Sequence, residues 1–230
     1  YSDPYPPGPD GSLEDTAFTY DNALAIGAYL SRPTEENLFR AKLLCKTLIW
    51  AQDNDTFADG RLRDAYDATK EFTGATVPLT GTFFQSSSTG NIAWVINALM
   101  QCYKYYKNSG DTDTAFLDKV LTAAETAGEF IHNNFYHSSQ SGYYYGYNAD
   151  GTTKNQTKST EHNIAAYVAF SHLYDVTDED KWLQRANNAK NFVDNIAWHP
   201  GDKRYICGLN PGGTPNVDAL VADTNLLAVL

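Results

Sequence analysis

Four apolar stretches of this chain begin alike, with a short polar head, and the heads recur at a regular spacing. Lys158–Tyr174 opens with Ser159 and Thr160, then Glu161, His162 and Asn163. From Ile164 to Tyr174 it carries no formally charged residue. Thr19–Leu30 opens with Thr19, Tyr20, Asp21 and Asn22, Thr89–Tyr106 with Thr89, Gly90 and Asn91, and Asp223–Leu230 starts the pattern again. Asp21 to Asn91 and Asn91 to Glu161 are each 70 positions, and Glu161 to Asp223 is 62. A fixed period of this length fixes the architecture before any single residue does. A helix apolar nearly all round is buried nearly all round. The polar heads therefore mark the N-termini of core helices, with Ser159 and Thr160 as good caps.

Each such stretch is followed by an amphipathic one: Leu38–Gln52, Phe116–Asn133 and Trp182–Ala197. The joints Ser31–Thr34, Ser109–Thr112 and Asp175–Asp178 are short and read as turns that feed an N-cap. The unit is thus buried helix, tight turn, half-exposed helix, long loop. In an open solenoid both helices of a pair keep a solvent face and both carry charge. Here only the second does so freely. The asymmetry predicts an all-α ring, an (α/α) toroid of helical hairpins with the buried helices inside.

The repeat argues for one domain over residues 1–230, preceded by an extended lead-in at 1–12, where Pro and Gly are dense. A net charge of −11 and a pI near 4.7 argue against nucleic acid or an anionic membrane as partner. No segment reaches the roughly 18 apolar residues of a membrane span. The richness in Tyr, Asn, Ser, Thr and Gly suits an extracellular or cell-surface protein. Cys45, Cys102 and Cys207 are three, so not all pair within the chain, and they are not spaced as a metal site. No metal and no cofactor is expected.

Long loops follow each amphipathic helix and so gather where the inner helices begin. Asp59–Asp67 reads as a short hairpin, and Ser141–Gly151 and Lys203–Asn210 hold the other loop segments. Asp53–Asp55 with Asp59-Gly60 lacks the spacing and closing Glu of a calcium loop and reads as a solvated acidic turn. Loops this long inside a domain are usually functional.

Alternating buried and amphipathic helices, long loops on one side and acidic residues at the inner-helix starts resemble the six-hairpin (α/α) toroid superfamily of carbohydrate-active enzymes. The runs Thr19-Tyr20-Asp21-Asn22-Ala23-Leu24 and Ser159-Thr160-Glu161-His162-Asn163 are similar to segments of its bacterial members. The resemblance is one of pattern and assigns no family. It implies six hairpins, whereas the chain holds three and the beginning of a fourth. This predicts a piece of a longer protein, with at least two further hairpins after Leu230.

Closing the ring would bring Asp21, Asn91, Glu161, His162 and Asp223 around one cavity. Facing carboxylates are what glycoside hydrolysis needs, one to protonate the leaving oxygen and one to activate water or attack the sugar. Asp21, Glu161 and Asp223 are the catalytic candidates, Glu161 foremost. Its place in a first helical turn favours the charged form and suits a base, nucleophile or charge stabiliser. Tyr20, Asn91, His162, Asn163, Tyr66 and Tyr145 are candidates for binding an oligo- or polysaccharide, the tyrosines through flat ring faces. Each has a plain reading too: Asp at a helix start is a routine cap, and a Tyr-rich hairpin packs across its strands. A glycoside hydrolase is the leading function. A non-catalytic glycan-binding or structural protein, a polysaccharide lyase or epimerase, and a helical-repeat scaffold are the alternatives.

Overall fold

Turns of a few residues fold each amphipathic helix back on an apolar one, three times in succession. In the computed structural model, which describes residues 16–67, 85–217 and 222–227, α1 (Thr19–Ser31) pairs with α2 (Glu35–Asp53) and α3 (Thr89–Asn108) with α4 (Thr114–Phe135). Likewise α5 (Thr160–Thr177) pairs with α6 (Asp180–Phe192), and α7 (Ala222–Leu227) begins a fourth unit. Caps start the helices where the sequence supplies them. The Thr34, Ser88, Asp113 and Ser159 side chains accept the N–H groups of Asn37, Asn91, Phe116 and His162. The lead-in at 1–12 lies outside the described residues.

The helices form two layers. α3 packs on both α1 and α5, and α5 also meets α7, so the polar-headed helices make one inner row. α2, α4 and α6 lie outside it. Ile26, Ile96, Leu99, Val120, Ile131, Phe170 and Leu173 fill the space between the layers. Trp182 is fully buried and stacks on Phe170 at 5.9 Å, with Gly128 leaving room for its ring. A smaller cluster of Ile164, Phe192, Val193, Ile206 and Leu209 closes the third unit. It sits where α6 runs into a single π-helical turn, Val193–Ala197.

Two expectations fail here. α1 is not buried nearly all round: only Thr19, Ala23 and Ile26 are buried, and Leu24 is 40% exposed. It packs on α2 and α3 and has no inner helix on its other flank among the described residues. Residues 65–67 form no local hairpin with 59–63 either. Ala65–Asp67 pairs antiparallel with Thr16–Phe18, the strand that leads into α1. The same plan recurs: Ser87–Ser88 pairs with Gly146–Tyr147, and Lys158–Ser159 with Gly208–Leu209. The strand before each inner helix is thus held by the long loop that follows the next outer helix. Gly146 and Gly208, at positive φ, stand where any side chain would strike that strand's backbone. Gly146–Tyr147 also forms a true hairpin with Lys154–Asn155, and Gly208–Leu209 pairs with Pro215–Asn216.

Candidate active site

The inner-helix N-termini are locked to the loops by one repeated device. The Thr19 hydroxyl donates to the Arg63 carbonyl at 2.6 Å, and its N–H to the Asp64 carbonyl at 3.0 Å. Thr89 does the same to Tyr144 (2.7 Å) and Tyr145 (2.8 Å), and Thr160 to Ile206 (2.6 Å) and Cys207 (2.8 Å). Each pair of bonds satisfies a first-turn N–H and a buried hydroxyl at once. It also sets Asp64, Tyr145 and Cys207 at equivalent positions, one beside each inner-helix start. The threonines define the structural register. Asp21, Asn91 and His162 are therefore equivalent, each two residues past its threonine, and Glu161 aligns with Tyr20 and Gly90. The 70-residue spacing had matched Glu161 to Asp21 and Asn91; the third unit is one residue out of step.

Asp64 is the residue that sequence reasoning missed. Its Oδ1 accepts Asn91 Nδ2 at 2.7 Å and the Ser88 N–H at 2.8 Å, which orients the carboxylate at the start of α3. Tyr145 packs on His162, their ring centres 4.4 Å apart and the rings tilted. The Tyr145 hydroxyl is pushed above the ordinary phenol range, first by burial and then by the charges of Asp64 and Glu161. Two carboxylates from positions far apart in sequence thus act on one phenol. His162 is buried, and burial takes its pKa down to about 4 against the opposing pull of Asp64. Its ring lies on Gly90, where an added Cβ would sit 2.4 Å from His162 Cδ2. Only glycine permits that approach.

The remaining candidates fall in different places. Tyr20 meets Trp94 edge-on at 5.7 Å, next to the inner-helix starts. Asp21 is exposed on the first turn of α1. Its equivalents Asn91 and His162 both touch the loop of the preceding unit, and α1 has no preceding unit among the described residues. Asp223 belongs to α7, and its side chain lies outside the described residues.

Asn163 is withdrawn from any ligand. It is fully buried, and its amide accepts the Tyr143 N–H at 2.8 Å while donating to the Ser159 and Tyr143 carbonyls. It is a tether for the Tyr-rich loop. Tyr66 turns its hydroxyl inward, accepting the Arg63 N–H at 3.0 Å and donating to Asp55 at 3.4 Å, so it offers no hydroxyl at a rim. Burial raises its pKa strongly. Tyr143 and Tyr147 likewise pack inward, onto Phe170 and Phe135. The acidic turn is only partly solvated: Asp55 is buried in a 2.7 Å ion pair with Arg63. Arg61 spans the loops, pairing with Asp59 and donating to the Gly151 carbonyl at 2.6 Å.

Beneath the inner-helix starts, a cavity of about 410 Å³ opens between α3 and α5, lined in part by Trp94, Asn97, Gln101, Ala165 and Val168. Asn97 Oδ1 and Trp94 Nε1, on two of the lining residues, are buried with no hydrogen-bond partner among the described residues. An apolar cleft with a few unpaired polar groups suits a small polar ligand. Among the described residues, no three His, Cys, Asp or Glu side chains gather as a metal site requires, and no helix is long and apolar enough to cross a membrane.

No protein-family model and no curated protein matches the sequence. Solved structures do match. A sugar epimerase from a ruminal bacterium superposes with a TM-score of 0.63 at 18% identity, over 86% of this chain and 48% of that one. The cellobiose 2-epimerase of Spirochaeta thermophila gives 0.64 at 17%, over 87% and 48%. A family 76 glycoside hydrolase from a bovine Bacteroides thetaiotaomicron strain gives 0.62 at 15%, over 95% and 45%. The chain spans about half the length of these structures. At such identities the likeness shows the fold alone, an (α/α) toroid arrangement, here as three hairpins and the start of a fourth.

Proposed function

We propose that the chain is part of a carbohydrate-active enzyme, a glycoside hydrolase that works with carboxylates at the inner-helix N-termini. One arrangement supports the reading: Asp64, held to the start of α3 by Asn91, and Glu161, in the first turn of α5, are both near enough to Tyr145 to add to burial in raising its phenol above the ordinary range. Two carboxyl groups about one cleft are the minimal equipment for cleaving a glycosidic bond. Glu161 sits in the first turn of α5, at the positive end of the helix. It serves as base, nucleophile or stabiliser of the cationic transition state. Asp64, oriented by Asn91 and the Ser88 N–H, works beside it. The proton donor comes from Asp21 or Asp223, on the helices that flank α3 and α5. Tyr145, Tyr20 and Trp94 supply ring faces for sugars, and the secreted character of the composition fits a polysaccharide substrate outside the cell.

The folds matched include sugar epimerases as well as a hydrolase. His162 counts against proton transfer by a histidine at this site, because burial lowers its pKa to about 4 and leaves it a weak base. The test is release of new reducing ends by the natural protein from a panel of plant, microbial and exopolysaccharide glycans. Cleavage of at least one supports the hydrolase. Binding across the panel without cleavage of any makes the glycan-binding reading the better one.

A further inference from the structure

Lys158 is an unmatched buried charge. It is 2% exposed, on the strand that leads into α5, and it lines a cavity of about 350 Å³. Its ammonium donates to the Ser141 carbonyl and lies 5.7 and 5.3 Å from the centres of the Tyr144 and Phe192 rings. No carboxylate compensates it among the described residues, and burial alone lowers its pKa to about 8. A buried cation without a counter-charge is costly. The chain has 28 acidic residues against 17 basic ones, yet none of the acids lines this cavity. Its other polar lining is neutral, with His137, Ser139, Gln140, Gln156 and Asn210 alongside Tyr144 and Leu209. Ser139 Oγ lies 3.0 Å from His137 Nε2. Burial and the Lys158 charge both lower the His137 pKa, so Lys158 stands as the single positive charge.

The geometry points to this cavity as a binding site for one carboxylate, carried by an acidic sugar, with Lys158 as counter-charge and Ser139, Gln140, Gln156 and Asn210 as neutral hydrogen-bonding partners. One cation among neutral groups matches a monoanion, whereas a dianionic phosphate asks for a second positive charge. Tyr144 lines the cavity and Tyr145, next in sequence, packs on His162, so one loop segment borders both this site and the candidate active site. That the carrier is a sugar rests on the carbohydrate reading above. The preference for an anion does not.

The test is calorimetric titration of the natural protein at low salt with glucuronate, glucose and inorganic phosphate. Glucuronate is expected to bind about tenfold or more tightly than glucose and more tightly than phosphate. Lys158→Gln removes the charge. Gln156→Glu changes only an exposed rim residue, adds a repelling carboxylate, and keeps the test valid if the first variant does not fold. Both are expected to abolish the preference for glucuronate. Equal binding of glucuronate and glucose, tighter binding of phosphate, or an undiminished preference in Gln156→Glu overturns the proposal. Failure to cleave any glycan bears on the hydrolase alone and leaves this result standing.

Discussion

Asn91 Nδ2 donates to Asp64 Oδ1 at 2.7 Å, and this bond ties the first turn of α3 to the loop that follows α2. It joins residues 27 apart in sequence and fixes the direction of a carboxylate at the candidate site. Asn91→Ala leaves Asp64 with the Ser88 N–H and is expected to cost about 1.5–3 kcal/mol, the range for a hydrogen bond to a charged group. Asn91→Asp sets a like charge against Asp64 and is expected to cost more. Denaturant midpoints of the two variants check the order. A more stable Asn91→Asp would show that the pair is not formed.

The threonine at each inner-helix start is predicted to matter through its hydroxyl rather than its shape. Thr160 is fully buried and donates to the Ile206 carbonyl. Thr160→Val keeps the volume but leaves that carbonyl one donor short, at about 1–3 kcal/mol. Thr160→Ser keeps the donor and should retain most of that stability. Equal melting of the Val and Ser variants would remove the hydroxyl from the account.

Such ties also mark what the sequence makes legible. The alternation of polar-headed apolar helices with amphipathic ones is local, and it places the hairpins to within a turn of their observed ends. Tertiary partners are not local. Asp64 is one acid among several in a loop, and its role appears only once Thr19 fixes the Asp64 carbonyl and Asn91 meets its side chain. Asn163 reads as a polar head residue like its neighbours, yet the backbone of Tyr143 takes up its amide. Leu24 reads as core, but its burial depends on a neighbour that no local pattern supplies.

The middle of α5 is predicted to tolerate no charge. Ala166 is fully buried in the main core. Ala166→Asp places an unpaired charge there at a cost of several kcal/mol, comparable to the whole stability of a domain. Circular dichroism should show loss of the folded state at 25 °C. A variant that melts within about 2 °C of the parent would show that this helix is not core.

Stability is predicted to fall with acidity partly through His162. Its folded pKa of about 4 lies below the unfolded value near 6.5. The unfolded chain therefore takes up the proton first, and stability present above pH 6.5 is lost as pH falls towards 4. The single residue accounts for about 3 kcal/mol at most. His132, His137 and His172 are shifted the same way. His162→Gln should therefore make the loss between pH 6.5 and 4 shallower without flattening it. An unchanged slope in unfolding free energy against pH would contradict the buried, neutral assignment.

The central claim is that Glu161 does chemistry at the start of α5. The direct measurement is kcat/KM of Glu161→Gln, which keeps shape and removes charge, on a glycan that the natural protein cleaves, with binding followed in parallel. The account predicts a loss of about 10³-fold or more in turnover with binding retained. Undiminished turnover would remove Glu161 from the mechanism.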